Sequence, residues 1–272
     1  MVRRFLLQSS KGVTALHLTS AEIYQHLAKN DLIVEVYKEV TSTNTLIKKR
    51  GQEGAPHGLV IAAETQTSGR GRMGRNFFSP NQTGAYFSVL LRPTLSPSDS
   101  LLITTCAAVA CAKVLERISG KTAFIKWVND IYIDDRKVCG ILTEASFAHG
   151  FIDYAVLGIG INLYPPEDGF PADIKNKAGS IFTRKDYDLR GLIIAEVLNS
   201  FFELYENIEK REFIDEYRSR SLLDGKPISV IQFDRTIPAT ALFIDSDLSL
   251  VVRYENGETA HLTSGDVSIG KP

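Results

Sequence analysis

Gly69-Arg70-Gly71-Arg72-Met73-Gly74-Arg75-Asn76-Phe77-Phe78-Ser79-Pro80 is the stretch on which the reading of the fold turns. It contains G-x-G-x-x-G, the spacing of a dinucleotide-binding fingerprint, but that mechanism needs a helix to open at the third glycine. Here a proline-terminated run without helical period follows, so the Rossmann reading fails on context. A phosphate-binding loop of the G-x-x-x-x-G-K-[ST] type is missing as well, since Leu115 stands where Gly120-Lys121-Thr122 would need its upstream glycine. Alternating glycine and arginine instead lets backbone N–H groups approach an anion while guanidinium groups fork onto its oxygens. As a merely solvated loop, the three arginines would repel one another without compensation. A segment mobile when empty and ordered by an anionic ligand is the better expectation.

A second stretch, Lys126-Trp127-Val128-Asn129-Asp130 running on to Asp135-Arg136-Lys137, sets an amide, a carboxylate and a lysine along two adjoining strand-like runs. Taken singly, Asn129-Asp130 reads as a turn, Lys137 as an exposed hairpin lysine and Ser42-Thr43-Asn44 as a helix cap. Together with the arginine loop they describe a site that joins a carboxylate to a nucleotide phosphate.

Outward from these segments, periodicity predicts a short helix from Leu18, capped by Thr19 or Ser20, and a strand over 32–37. A helix capped by Thr41 to Asn44 runs to about Arg50, and strands cover 59–63 and 85–91. A long helix opens at Ser96-Pro97-Ser98-Asp99 and stops at Gly120. Hairpin strands follow over 123–127, 131–133, 138–144 and 154–163, with turns at Asp134-Asp135-Arg136 and Ala148-His149-Gly150. A helix over about 189–209 presents an apolar stripe. After the boundary Leu223-Asp224-Gly225-Lys226-Pro227, four short alternating runs over 228–262 suit a small β domain that leans on the first. The fold class is therefore α+β, a mixed sheet with packed helices followed by a small barrel.

Composition narrows the function. A net charge of −1 on 272 residues gives no broad basic footprint for nucleic acid. Met1 to Leu7 has the basic front of a signal peptide, but Gln8 to Lys11 cut the apolar run short of the roughly 7–15 residues an h-region needs. No run approaches the ~20 apolar residues of a membrane span. Cys106, Cys111 and Cys139 form no C-x-x-C pair and suit a reducing, cytoplasmic setting as core residues. The five histidines are scattered, which argues against a histidine metal site.

Ser42-Thr43-Asn44, Glu64 to Arg72, Lys126 to Asp130, Arg136 to Glu144, Gly158-Ile159-Gly160-Ile161-Asn162 and Ser264-Gly265-Asp266-Val267-Ser268 resemble, in order and spacing, the motifs of bacterial biotin–protein ligases. The resemblance runs from about Leu18 to the end. It implies a class II synthetase-like catalytic domain over 18–223 and a C-terminal SH3-like barrel over 224–272, with 1–17 as a lead. It further implies that biotin's carboxylate attacks the α-phosphate of ATP, giving biotinyl-5′-AMP and pyrophosphate, after which a lysine of a biotin carboxyl carrier protein attacks the mixed anhydride. Such a carrier belongs to acetyl-CoA carboxylase or another biotin-dependent carboxylase.

Carried over residue by residue, Ser42, Thr43 and Gln66 hydrogen-bond biotin's ureido ring, with the Arg70 backbone, Asn44, Gly71 and Gly158 completing the biotin pocket. Arg72 and Lys137 are the catalytic cations, spanning the biotin carboxylate and the α-phosphate. Arg75, Phe77, Lys126, Asn129, Asp130, Ile161 and Asn162 belong to the nucleotide side, with Asp130 the Mg²⁺ ligand. Cations spanning two approaching anions stabilise the transition state, one such contact being worth ~3–4 kcal/mol. Two positions depart from the family: Val128 stands where proline is usual, and Phe77 where an adenine-stacking tryptophan is common. A lipoate or octanoate ligase or transferase of the same superfamily would need a tunnel for a long acyl chain. A biotin-sensing DNA-binding regulator would need a winged helix-turn-helix on the order of sixty residues, and only some sixteen precede the helix at Ala21. No specific DNA and no membrane partner is expected, and a homodimer is left open.

Overall fold

A computed structural model describes residues 17–28, 31–232 and 235–270. The N-terminal lead expected over 1–17 lies outside the described residues except for His17. The first helix, α1 (Ser20–Tyr24), has the expected cap: Thr19 and Glu22 form a reciprocal capping box.

Seven strands make one sheet: β1 (Ile33–Val40), β2 (Leu59–Gln66), β3 (Gly84–Leu91), β4 (Phe124–Lys126), β5 (Asp130–Ile133), β6 (Arg136–Ala148) and β7 (Phe151–Asn162). Their spatial order is β1-β2-β3-β7-β6-β5-β4. The β1–β2 pair is parallel and the other pairs are antiparallel, so the sheet is mixed. A parallel pair needs a crossover, and α2 (Thr43–Gln52) supplies it. The β5–β6 and β6–β7 hairpins turn on Asp134-Asp135 (φ 51° and 57°) and His149-Gly150 (φ 52° and 83°). Positive φ at both central residues matches the right-handed twist of the strands.

Strand alternation assigns the sheet two different faces. One face sends Val60, Ala62, Phe87, Val89, Ile159 and Ile161 into the main core, against α3 (Leu101–Ser119) and α4 (Arg190–Tyr205). All three cysteines are free and buried there. On the opposite face α2 covers a smaller cluster of Ile47, Leu59, Ile61, Leu90, Tyr154 and Val156. Beyond α2, that face continues across Gly158, Gly160 and Gly140, the last two being register partners.

The long helix is preceded by a 3₁₀ turn, Pro97–Asp99, and ends on Gly120 in the left-handed conformation (φ 70°). α4 stops at Tyr205, short of the expected 209, and packs on α3 and β3. A 3₁₀ turn (Ile208–Lys210) and a short helix, α5 (Ile214–Ser219), follow. Six residues are too few to reveal a helical period, and α5 was not legible in the sequence.

The C-terminal strands β8 (Pro227–Gln232), β9 (Arg235–Ile244), β10 (Leu250–Tyr254), β11 (Thr259–Leu262) and β12 (Asp266–Ile269) form an antiparallel sheet in the order β11-β10-β9-β8-β12. Its fifth strand, β12, falls on the Gly265-Asp266 motif. This sheet meets the first unit through Trp127 Nε1, which donates to the Leu248 carbonyl at 2.9 Å. Among the described residues no helix is long and apolar enough to cross a membrane.

Candidate active site

The site lies on the sheet face that α2 leaves open. Its first wall is the start of α2. Ser42 occupies the N-cap position, yet its hydroxyl makes no cap hydrogen bond. The side chain is buried, and Ser42 Oγ has no partner among the described residues. A buried hydroxyl left unpaired carries a desolvation cost that a ligand can relieve, which a simple helix cap does not explain.

Around it runs a polar chain. The Thr43 N–H and hydroxyl both donate to Gln66 Oε1, at 2.9 and 3.1 Å, and Gln66 Nε2 donates to Ser79 Oγ at 2.9 Å. Ser88 Oγ, fully buried on β3, lies 2.7 Å from Thr43 Oγ1 and 2.6 Å from Asn44 Oδ1. Asn44 Nδ2 donates to Glu144 Oε2 at 3.1 Å. Asn44 rests on Gly158, where an added Cβ would run into its amide. Ser88 and Glu144 escaped the sequence reading as network members because each stands alone in its strand, and only register brings them to α2.

The floor is glycine. The Phe77 ring lies over Gly140 and Gly160, so a side chain at Gly160 would collide with it. Ile161, placed among the nucleotide residues, instead sends its side chain into the helix-side core. Strand alternation makes Gly160 the floor residue and Ile161 a core residue. Asn162 faces the site and donates to the Gly179 carbonyl at 3.1 Å.

The second wall carries the charges. Lys137 Nζ lies 2.7 Å from Asp130 Oδ1, with both groups partly buried. Asn129 is clamped on β6: its Nδ2 donates to the Ile141 carbonyl at 2.6 Å, and its carbonyl accepts from Ile141 N at 3.0 Å. Asn129 Oδ1 in turn accepts from Arg72 Nη1 at 3.1 Å, and Arg72 Nη2 donates to the Gly265 carbonyl at 2.9 Å. Lys126 is half-buried, and desolvation holds its pKa below the usual lysine value against the opposing pull of Asp130 and Asp266.

The arginine loop differs from expectation. Its charges are compensated within the chain: Arg70 pairs with Glu144 at 3.0 Å, Arg75 pairs with Asp266, and Arg72 is held as above. Its backbone is also partly occupied, since Gly71 N donates to the Arg75 carbonyl (2.8 Å), Arg75 N to the Arg72 carbonyl (3.2 Å) and Phe77 N to the Gly69 carbonyl (2.8 Å). Long-range partners invisible to a local reading supply the compensation. The residues grouped by sequence thus converge, with Ser42 to Gln66 at one end and Arg72, Asn129, Asp130 and Lys137 at the other. Gly158, beside Asn44, and Gly160, beneath Phe77, are two residues apart on β7, roughly 7 Å along the strand.

Asp245, Asp247 and His261 are the group of potential metal ligands found among the described residues, and they lie in the C-terminal sheet region rather than here. A cavity of about 540 Å³ bounded by His57, Arg92, Tyr205 and Lys210 also contains none of these residues.

Comparison with known proteins agrees with the geometry. The model of the biotin/lipoate A/B protein ligase family matches residues 36–162. A bifunctional ligase/repressor BirA of Bacillus spizizenii is 30% identical over 250 residues, covering 90% of this chain and 74% of that protein. A biotin–[acetyl-CoA-carboxylase] ligase of Mycobacterium tuberculosis is 26% identical over 86% of this chain and 88% of its own length. Among solved structures, the biotin protein ligase from Aquifex aeolicus in complex with biotin and ATP superposes with a TM-score of 0.73 at 27% identity, covering 88% of this chain and 99% of that one. The chain belongs to the biotin/lipoate A/B protein ligase family, as one of its biotin–protein ligases.

Proposed function

We propose that the chain condenses biotin with ATP to biotinyl-5′-AMP, releasing pyrophosphate, and passes the biotinyl group to a lysine of a biotin carboxyl carrier protein. The observation that carries this reading is the buried, unpartnered Ser42 hydroxyl at the head of the Thr43–Gln66–Ser88–Asn44 network. A polar ureido ring matches that end, and the glycine floor lets the Asn44 amide and the Phe77 ring sit close on the sheet as the borders of the site. At the other end Arg72 and Lys137 span the carboxylate and the α-phosphate. Their charge offsets the repulsion of the two anions and stabilises the charge that develops on the pentacoordinate phosphorus. Catalysis here needs alignment and charge but no enzyme nucleophile, which agrees with three buried thiols.

Asn129, Lys126 and Arg75 line the nucleotide side, with Phe77 as its aromatic surface. Mg²⁺ enters with ATP. A phosphate-bound Mg²⁺ needs only one or two carboxylates, keeping waters elsewhere, and Asp130 offers one beside Lys137. The C-terminal sheet, read as the SH3-like domain, contributes Gly265 and Asp266 to the arginine loop. ATP as substrate and reduced, buried cysteines suit action in the cytoplasm.

Mass spectrometry of a biotin carboxyl carrier domain incubated with the protein, biotin and Mg-ATP tests the reading. A mass gain of one biotinyl group is expected. A gain with lipoate alone would replace this reading by that of a lipoate ligase.

A further inference from the structure

Tyr217 belongs to none of the motifs above, yet α5 carries it into contact with one of them. The residue is fully buried, and its hydroxyl donates to the Val128 carbonyl at 3.0 Å. That carbonyl shares a peptide plane with the N–H of Asn129. Asn129 is the hub through which Arg72 is aimed, by the contacts to Ile141 and Arg72 described above. On the other side of the same turn, Trp127 Nε1 holds the Leu248 carbonyl. Two buried ring donors, Tyr217 from α5 and Trp127 of the turn itself, thus fix the turn that presents Asn129 and Asp130.

We propose that Tyr217 is a positioning residue of the adenylation step, fixing the Val128–Asn129 peptide so that Asn129 orients Arg72 toward the nucleotide. The inference rests on the biotin–protein ligase reading. Burial pushes the Tyr217 pKa up against the opposing charge of Arg72, so the phenol stays a donor throughout the working pH range. The hydroxyl makes its contact on the nucleotide side of the site, away from Ser42 and Gln66. Its loss acts on ATP through Arg72 and leaves the ureido-side contacts of Ser42 and Gln66 in place, with Lys137 still facing the biotin carboxylate.

Tyr217→Phe removes the donor and keeps the ring. Pyrophosphate release is measured against ATP and against biotin, with calorimetric biotin affinity, melting curves and the emission of Trp127, the single tryptophan of the chain. Loss of one such hydrogen bond is expected to lower kcat/KM for ATP about 5–10-fold. Biotin affinity without ATP should stay within about twofold, and Trp127 emission should change as its turn loosens. In an Asn129→Ala background the same substitution should add little, because the hydroxyl acts through Asn129. Unchanged ATP kinetics with a lowered melting temperature would reduce Tyr217 to packing. Full additivity with Asn129→Ala would also overturn the proposal. If the unaltered protein forms no biotinyl-AMP, the underlying function has failed instead.

Discussion

Replacing Lys137 by alanine separates chemistry from stability, because the structure bounds both effects. The Lys137 side chain is 31% exposed and its partner Asp130 16%, with 2.7 Å between Nζ and Oδ1. A fully exposed ion pair contributes about 0.2–1 kcal/mol, whereas breaking a fully buried one costs about 3–5 kcal/mol. With both side chains less than a third exposed, the pair lies between these limits, so a stability loss of about 1–3 kcal/mol is expected. For a domain of this size that lowers Tm by roughly 2–12 °C. Loss of a cation at the developing phosphorane instead costs ~3–4 kcal/mol of transition-state stabilisation, a rate reduction of about 10²–10³-fold. Pyrophosphate release is measured well below the melting transition, together with Tm. Asp130→Asn in the Lys137→Ala background should recover part of the lost stability by removing the unpaired carboxylate, without recovering turnover. Turnover within about threefold of the unaltered protein would remove Lys137 from the reaction.

Gly158→Ala drives a methyl group into the Asn44 amide. Overpacking of this kind costs about 1–3 kcal/mol, and calorimetry should show biotin affinity reduced about tenfold or more; affinity within twofold would mean that Asn44 does not shape the pocket. Amide exchange of the ligand-free protein should be slower at Gly71, Arg75 and Phe77, whose N–H groups are hydrogen-bonded, than expected for an open loop. Random-coil rates at all three would restore a loop without structure before ligand binding. Because Arg70, Arg72 and Arg75 are each engaged by partners within the chain, no specific DNA complex is expected in mobility shifts on the promoters of the organism's biotin genes. A discrete complex strengthened by biotin and ATP would contradict this.

Local chemistry made much of this protein readable in one dimension. The Thr19–Glu22 capping box, the left-handed stop at Gly120 and the Asp134-Asp135 and His149-Gly150 turns are properties of a few adjacent residues. They follow from backbone sterics and hydrogen bonds between near neighbours in the chain. The same holds for the exclusion of a Rossmann loop at Gly69 to Gly74 and for the two-period strands of the C-terminal sheet. What sequence reading missed depends on register and burial. Ser42 looks like a cap in any string of residues, and only the packing of α2 on the sheet exposes its hydroxyl as an unpaired buried group. Ile161 and Gly160 are neighbours in the chain, but β7 sends them to opposite faces of the sheet.

The arginine loop marks the division most clearly. Sequence alone determined that Gly69 to Arg75 is a cationic turn rather than a helix start, since its glycines and Pro80 set the backbone. Only the tertiary structure decided where those charges go, because Asp266 stands 191 residues from Arg75 and reaches it through the docking of a separate sheet. Backbone preference acts between neighbours and is written in their order. Charge pairing acts through space, and the fold alone determines which residues are near.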